Sequence, residues 1–306
     1  MNLAGRSLTD ISDLSREEVV FLLAETKSLK MNSSRPTPLP APGGRSVALL
    51  FFEPSTRTRT SFEMAAFRLG LRVLHLEASS SSAQKGETIY DTAKNVEALS
   101  PHGMVIRHSG SGIPLQISKL LKIPVINAGD GFHAHPTQAL LDAFTIQEKF
   151  GNISGLNILI IGDIAHSRVA RSNIALLRML GAKIKVCGPP TLIPPLASEL
   201  GVEVTDRLDE NLASADVIMA LRMQMERQSS FQIPSLKEYT TRFGITQERL
   251  NLIKKDAIIL HPGPVNRGIE IMSVALRDPR CQIMEQVENG VLMRSVLLRE
   301  LLGVAC

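Results

Sequence analysis

The sequence predicts an α/β protein built from two doubly wound parallel-sheet domains of similar architecture. Short, continuous apolar runs alternate with amphipathic helical patterns in both halves of the chain, which is typical of parallel strands covered by helices on both faces. The chain has 306 residues, more than one hydrophobic core usually accommodates. Gly151 and Asn152 interrupt the pattern, so we expect one domain over residues 1–150 and a second over residues 151–290.

Capping and periodicity predict the elements of the first half. Ser15 and Glu18 have the spacing of a capping box, so a helix is expected to begin there and to run through Leu29. The proline- and serine-rich stretch 31–44 is expected to end that helix. Strands are expected at 47–52, 73–76, 104–106 and 125–126, and helices at 59–69, 87–99, 113–121 and 136–150.

The second half repeats this alternation. Its clearest helical pattern covers residues 168–180, and a final helix is expected at 291–302. The two halves are therefore expected to share one kind of architecture. Strands are expected at 156–161, 183–187, 217–220 and 257–260.

Composition argues against several classes of protein. Hydrophobic residues make up 44% of the chain, and the net charge is only +4, with basic residues scattered through mixed-sign sequence. We therefore expect a soluble protein that binds neither nucleic acid nor a membrane. The N-terminal sequence lacks a signal-peptide core, and no apolar run approaches the ~20 residues that a membrane span needs.

Cysteine usage predicts a reducing compartment. Cys187, Cys281 and Cys306 are too few and too far apart for a disulfide framework or a Cys-x-x-Cys metal site. Together with the missing signal peptide, this favours a cytoplasmic protein.

The most informative motif follows the first strand. Ser55-Thr56-Arg57-Thr58-Arg59 combines hydroxyls and guanidinium groups immediately before a helical pattern. Backbone N–H groups and the positive end of the helix dipole favour an anion at such a position, and an arginine presents donors that match phosphate. The alternative is a capped helix start with solvated arginines. The density of hydroxyls and arginines favours a phosphate site.

Polar residues also follow other predicted strands. His135 lies after a strand and a glycine-rich turn, at a helix entrance, where it can donate a hydrogen bond to a carbonyl oxygen. The alternative role is a polar cap. His133 lies close enough in sequence to form a metal pair with His135, but no third ligand has suitable spacing, so no metal is expected.

The turn at Gly162 argues against a nicotinamide cofactor. A dinucleotide fingerprint would show G-x-G-x-x-G here, and this turn has one glycine. Arg168 at the following helix start is either a carboxylate clamp or a surface arginine. Alternation places Arg222 and Gln224 on one side of a later loop, where they can hold a second carboxylate.

Four motifs together resemble the aspartate and ornithine carbamoyltransferase family. They occur in the family's order and at about its separations, so the resemblance covers nearly the whole chain. It implies a carbamoyl-phosphate domain over 1–150, an aspartate-binding domain over 151–290, and an active site in the cleft between them. The C-terminal helix, 291–306, is expected to pack back on the first domain. The motifs are Ser55-Thr56-Arg57-Thr58-Arg59, His135-Pro136-Thr137-Gln138, Arg222-Met223-Gln224-Met225-Glu226-Arg227 and His261-Pro262-Gly263-Pro264.

The resemblance also implies roles for individual residues. The expected catalytic residues are Arg57, Thr58, Lys85, Arg107 and His135. The expected aspartate-binding residues are Lys85, Arg168, Arg222 and Gln224. The expected carbamoyl-phosphate-binding residues are Ser55, Thr56, Arg57, Thr58, Ser81, Lys85, Arg107, His135, Gln138, Gly263 and Pro264.

Family members share active sites between subunits of a trimer, so a homotrimer is expected. A serine and a lysine of one loop reach the neighbouring site; here the lysine is Lys85. Counting back suggests Ser81, but the choice within Ser79–Ser82 stays open, and by composition alone this stretch resembles a linker. The sequence does not decide whether regulatory chains or dihydroorotase associate.

The expected reaction is transfer of the carbamoyl group of carbamoyl phosphate to the amine of L-aspartate, in pyrimidine biosynthesis. Ornithine enzymes lack the arginine-glutamine loop and carry a cysteine within the motif where this chain has Gly263. No cofactor is expected, because a neutral amine is already a nucleophile; a phosphate oxygen is the hypothetical proton acceptor. The alternatives are a transferase with another amine acceptor and a catalytically silent anion-binding paralogue.

Overall fold

Two parallel sheets organise the chain. The structure is a computed structural model that describes residues 1–32, 44–77, 87–223 and 233–304. Its contacts divide into a first unit, Met1–Phe144 with Val287–Cys306, and a second unit, Thr145–Gln286. The predicted α/β class with two parallel-sheet domains is confirmed. The exact domain limits stay a prediction.

The sheet of the first unit has the strand order β2-β1-β3-β4, and all its strands are parallel. Leu50 and Ile106 lie side by side in it and are fully buried. The strands are β1 Ser46–Phe51, β2 Arg72–Glu77, β3 Met104–His108 and β4 Val125–Asp130. The helices are α1 Arg16–Asn32, α2 Thr56–Arg68, α3 Ile89–Ala98, α4 Ile113–Leu120 and α5 Pro136–Phe150.

The capping box predicted at α1 is present. The backbone N–H of Glu18 donates to the Ser15 hydroxyl at 3.2 Å, and the backbone N–H of Ser15 donates to the Glu18 carboxylate at 2.9 Å. These bonds satisfy donors that a helix start otherwise leaves without partners. Arg6 also donates to Glu18, and this bond lowers the pKa of that carboxyl.

The sheet of the second unit has the order β7-β6-β5-β8-β9, again all parallel. Its core includes Ile161, Ile218 and Phe243. The strands are β5 Asn157–Ile161, β6 Lys183–Cys187, β7 Glu203–Thr205, β8 Val217–Ala220 and β9 Ile258–Leu260. The helices are α6 Arg168–Met179, α7 Leu208–Leu212, α8 Leu236–Phe243 and α9 Gln247–Leu250.

The last helix, α10 Ile283–Leu302, is longer than the sequence pattern predicted. From Val287 onward it belongs to the first unit. Its Leu301 and Leu302 carbonyls accept hydrogen bonds from the Gly5 N–H at 2.9 Å and the Arg45 guanidinium at 2.8 Å. No helix within the described ranges is long and apolar enough to cross a membrane.

Several expected element bounds differ from the structure, and three differences are the most informative. Helix α2 begins at Thr56 instead of residue 59, because its apolar periodicity becomes visible only from Phe62 onward. Strand β4 continues to Asp130, although its glycine and polar residues suggested a turn from residue 127. Strand β7 was missed, since it is short and largely exposed at a sheet edge.

Candidate active site

In the first unit, the predicted site residues follow three adjacent strands. Strands β1, β3 and β4 are neighbours in the sheet, and their carboxyl ends lie along one edge. Phe51 pairs with Arg107, and the Phe52 N–H donates to the Arg107 carbonyl at 2.9 Å. The strand order changes direction between β1 and β3, and open α/β sheets bind ligands at such a switch point. We call this the first-unit edge.

The start of α2 provides donors at this edge. Ser55 is its N-cap residue and has an extended backbone, but its hydroxyl forms no capping hydrogen bond in the described chain. The N–H groups of a helix's first turn point out along its axis. Thr58 is buried in that turn, while Thr56 and Arg57 are exposed. Four of the predicted phosphate-binding residues therefore share one helix start.

Arg107 is held firmly at the end of β3. It is only 8% exposed, and its Nη1 donates to the Ala128 carbonyl at 3.0 Å. Its Nη2 lies 3.3 Å from Glu53 Oε1. These contacts place a cation beside the start of α2. Sequence analysis missed Glu53, although its place between β1 and the phosphate motif was a usable signal.

His135 and Gln138 lie at the beginning of α5, and both are buried. Gln138 Nε2 donates to Asp142 Oδ1 at 2.9 Å, one helical turn further on. This bond orients the amide so that Oε1 remains an acceptor. The arrangement suits the predicted role of Gln138, which is to accept a hydrogen bond from the carbamoyl amide. Asp142 was not predicted, although the i,i+4 spacing indicates such a pair.

Arg294 on α10 contacts two residues of α2. Its Nη1 donates to the Ser61 hydroxyl at 2.7 Å, and its guanidinium carbon lies 5.2 Å from the centre of the Phe62 ring. Burial lowers the pKa of Arg294 to about 10, although the charge of Asp142 opposes that shift. Arg294 therefore stays protonated at neutral pH. No local sequence signal marks this residue.

The second unit repeats the pattern with β5, β8 and β9, which are adjacent and lead to predicted site residues. We call their carboxyl ends the second-unit edge. Arg168 is the first residue of α6 and is 5% exposed, so the alternative of a surface arginine was wrong. The helix is capped by Ser167, whose hydroxyl accepts from the Ala170 N–H at 3.1 Å. Nearby, His166 Nδ1 lies 2.9 Å from the buried Asp163 carboxylate.

Arg222 follows β8 at the same edge. The Leu221 N–H donates to the Ile161 carbonyl at 2.8 Å, which extends the β5–β8 pairing to the residue before Arg222. Arg222 is partly buried. The remaining predicted residues of this loop and of the serine loop lie outside the described residues: Gln224, Lys85 and the stretch Ser79–Ser82, including Ser81.

The turn after β9 carries the last motif. The backbone N–H of Gly263 donates to His261 Nδ1 at 2.8 Å, and the peptide bond between Gly263 and Pro264 is cis. Gly263 has φ of 65°, a left-handed conformation that costs other residues roughly 1–2 kcal/mol. His261 Nε2 lies 3.1 Å from Glu270 Oε1. Sequence analysis did not identify Glu270.

The His133 side chain lies beside a buried carboxylate. His133 Nδ1 lies 3.0 Å from Asp130 Oδ2, and Asp130 Oδ1 accepts from the Ala134 N–H. Among the described residues, no group of three or more His, Cys, Asp or Glu side chains is arranged to hold a metal.

Burial raises the pKa of the Cys187 thiol to about 12, so this cysteine is unreactive at neutral pH.

Two family models match the chain, one over each half. The carbamoyl-P binding domain of aspartate/ornithine carbamoyltransferase matches residues 6–148. The Asp/Orn binding domain of the same family matches residues 154–301. The two matches cover most of the chain and follow one another in the order of the two sheets.

Individual relatives match over nearly their full length. The chain is 50% identical to an aspartate carbamoyltransferase catalytic subunit of Desulfitobacterium hafniense, covering 99% of this chain and 97% of the relative. The subunit from Syntrophotalea carbinolica is 49% identical, with coverage of 96% and 94%.

Solved structures show the same fold. Aspartate transcarbamoylase from Trypanosoma cruzi, in complex with carbamoyl phosphate and aspartate, has a TM-score of 0.88 at 31% identity, covering 98% of this chain and 97% of that one. Ornithine carbamoyltransferase from Pyrococcus furiosus has a TM-score of 0.87 at 29% identity, with both chains fully covered. This chain belongs to the aspartate/ornithine carbamoyltransferase family.

Proposed function

We propose that this protein transfers the carbamoyl group of carbamoyl phosphate to the amine of L-aspartate, giving N-carbamoyl-L-aspartate and phosphate. One observation carries the proposal. The α2 start with Arg57, the buried Arg107 and the buried His135 follow three neighbouring strands at a single sheet edge. That combination supplies fixed donors for a phosphate and for a carbonyl oxygen beside it.

Charge neutralisation explains the composition of the site. A dianionic phosphate and a dicarboxylate repel each other, so the reaction needs several cations near both. Arg57 and Arg107 neutralise the phosphate. Arg168 and Arg222 neutralise the aspartate carboxylates. Lys85 contributes to both. Carbamoyl transfer requires these five residues to act on the same pair of substrates, and we propose that they do.

The chemistry then depends on orientation and on stabilising the oxyanion. Thr58, Arg107 and His135 donate to the carbonyl oxygen as its negative charge grows. Gln138 Oε1 and the carbonyls near Gly263 accept from the carbamoyl amide. The amine attacks the carbonyl carbon, phosphate leaves, and a phosphate oxygen takes the amine proton. No cofactor is needed for these steps. The expected cleft between domains remains a prediction.

Aspartate is favoured over ornithine as the acceptor. The fold does not separate the two, since structures of both enzymes match with TM-scores of 0.88 and 0.87. Sequence does favour aspartate, because the relatives at 50% and 49% identity are aspartate carbamoyltransferase catalytic subunits. The product would enter de novo pyrimidine biosynthesis in the cytoplasm.

A colorimetric assay for carbamoyl amino acids tests the proposal. Purified protein is incubated with carbamoyl phosphate and either L-aspartate, L-ornithine or acetylornithine. Of the three acceptors, we expect only L-aspartate to give a carbamoylated product. Turnover of ornithine or acetylornithine instead would identify another acceptor, and calorimetric binding of a phosphonate analogue without any turnover would identify a silent paralogue.

We also propose a homotrimer with active sites shared between subunits. If Lys85 acts in the neighbouring site, mixing inactive Lys85→Ala and Arg57→Ala proteins should restore part of the activity. In some mixed trimers, a site then combines the intact Arg57 of one subunit with the intact Lys85 of its neighbour. The exposed Arg16→Ala variant is the control for Arg57→Ala and should keep normal activity. A mixture as inactive as its parents, or a monomer by light scattering, would contradict the proposal.

A further inference from the structure

Glu270 is a buried carboxylate with no role in the chemistry above. It is 1% exposed, as is His261. Within the described chain, its hydrogen-bonding partners are His261 and Asn266, and no lysine or arginine pairs with it. Burial, together with the charges of Glu270 and Asp163, raises the pKa of the nearby Tyr239. A buried carboxylate is costly unless hydrogen bonds compensate it, so its two contacts are informative.

The first contact defines the protonation state of His261. The backbone N–H of Gly263 is an obligatory donor, and it points at His261 Nδ1 at 2.8 Å. Nδ1 is therefore an acceptor and carries no proton. The ring proton lies on Nε2, which donates to Glu270 Oε1 at 3.1 Å. His261 is thus a neutral imidazole in the Nε2–H form, anchored at both nitrogens.

The second contact extends the network toward the other substrate-binding loop. The same oxygen, Glu270 Oε1, accepts from the Asn266 N–H at 2.6 Å. The Asn266 side-chain amide donates to the Met223 carbonyl at 3.0 Å. Met223 directly follows Arg222. One carboxylate oxygen therefore connects the turn at Gly263 to the loop that begins at Arg222, and both connections lie within the second unit.

We propose that Glu270 is a positioning residue that fixes the His261 tautomer and joins the Gly263–Pro264 turn to the Arg222 loop. This inference rests on the proposed function, in which the turn holds the carbamoyl amide and Arg222 holds aspartate. A loop with free backbone N–H groups and a rotating imidazole would present the turn's carbonyls in several directions. Glu270 removes that freedom before substrates bind.

Nitrogen NMR of the full-length, histidine-labelled protein tests the tautomer directly. His261 is assigned by difference against a His261→Gln variant, or by replacing the other histidines in turn. At neutral pH we expect a proton on Nε2 and none on Nδ1. In Glu270→Ala, the Nε2 proton loses its acceptor and the ring can turn away from the Gly263 N–H, so signals of a second ring form should appear, whereas Glu270→Gln should keep the single form because an amide oxygen can still accept. An imidazolium or an Nδ1–H form in the unmodified protein would overturn the proposal.

Kinetics test the consequence for catalysis. We expect Glu270→Ala to lower kcat/KM for both substrates by up to about 100-fold, since a misplacement of about 1 Å in a substrate-holding group can cost that much. Glu270→Gln should stay within a few-fold of the unmodified protein, as should Glu248→Ala, which removes an exposed carboxylate in the same unit. A Glu270→Ala protein that melts at a lower temperature but keeps its kcat/KM would reduce Glu270 to a purely structural residue.

The two arms separate this inference from the proposed function. If the unmodified protein does not carbamoylate aspartate, the proposed function fails. The NMR arm still decides whether Glu270 orders the turn. If aspartate is carbamoylated and Glu270→Ala is fully active, the function stands and the positioning role is wrong.

Discussion

Carboxylate–histidine pairs lie at both edges, and the first-unit edge adds a contact between buried Arg107 and Glu53. In the first unit, Arg107 bridges Glu53 and the Ala128 carbonyl. In the second unit, Asp163 lies beside His166 and Glu270 beside His261. Both edges belong to parallel sheets and both follow three adjacent strands.

This difference is consistent with the roles proposed for the two edges, which are phosphate binding in the first unit and aspartate binding in the second. Arginine keeps its charge throughout the physiological pH range, so under the proposed function a phosphate would meet a constant cation at the first-unit edge. Histidine can be neutral and can hold two backbone or carboxylate groups in fixed directions. At the second-unit edge, the buried pairs hold loop residues in place, and the proposed function assigns the substrate carboxylates to Arg168 and Arg222. Three predictions examine this contrast.

The largest effect is expected at Arg107. Arg107→Met should lower kcat/KM by about 10²- to 10³-fold, the usual cost of removing one oxyanion donor. Arg107→Lys should recover part of the activity, because it keeps a charge but lacks the planar fork of donors that arginine presents. Steady-state kinetics with both substrates measure this, and Arg16→Met is an exposed control in the same unit. Near-normal turnover of Arg107→Met would show that the first-unit edge does not depend on its buried cation.

A smaller effect, on stability, is expected at Arg294. Arg294→Met should lower the free energy of unfolding by about 1–3 kcal/mol, because it removes the charged hydrogen bond to Ser61 and the cation–π contact with Phe62. Arg299→Met is the control on the same helix. Its partners are partly exposed, so it should cost no more than about 1 kcal/mol. Urea unfolding compares the two, and equal losses would remove the distinction between the buried cation and a surface pair.

The smallest effect concerns acid stability in the second unit. Arg280 donates to Asp278 at 2.7 Å and lowers the pKa of that carboxyl. A carboxyl whose folded pKa is below its unfolded value, ~3.9, adds stability above that value. The contribution is lost as pH falls through the folded pKa. Asp278→Asn should therefore melt at a lower temperature than the unmodified protein at neutral pH, with the gap narrowing in acid.

Thermal unfolding at several pH values measures this last prediction. The comparison is between the melting temperatures of the two proteins at each pH. A gap that stays constant or widens as the pH falls would mean that the Asp278 carboxylate does not contribute through its charge.

Much of the architecture could be predicted because it depends on neighbours in the chain. The bounds of α5 match the prediction, and the capping box at Ser15 and Glu18 formed as expected. Apolar runs followed by polar residues correctly placed the α2 start after β1, and His135 and Arg168 at helix entrances. The first turn of α2 was missed because capping residues and hydroxyls do not show helical periodicity.

By itself, the sequence determined the parallel-sheet class and the order of most strands and helices, since periodicity and spacing are local properties. The tertiary structure alone decided which polar groups meet. Arg294 reaches Ser61 across 233 positions of sequence, and Asn266 reaches Met223 across 43. Burial turns such encounters into fixed contacts, because a buried polar group must find its partner inside the protein. No local pattern encodes which partner that will be.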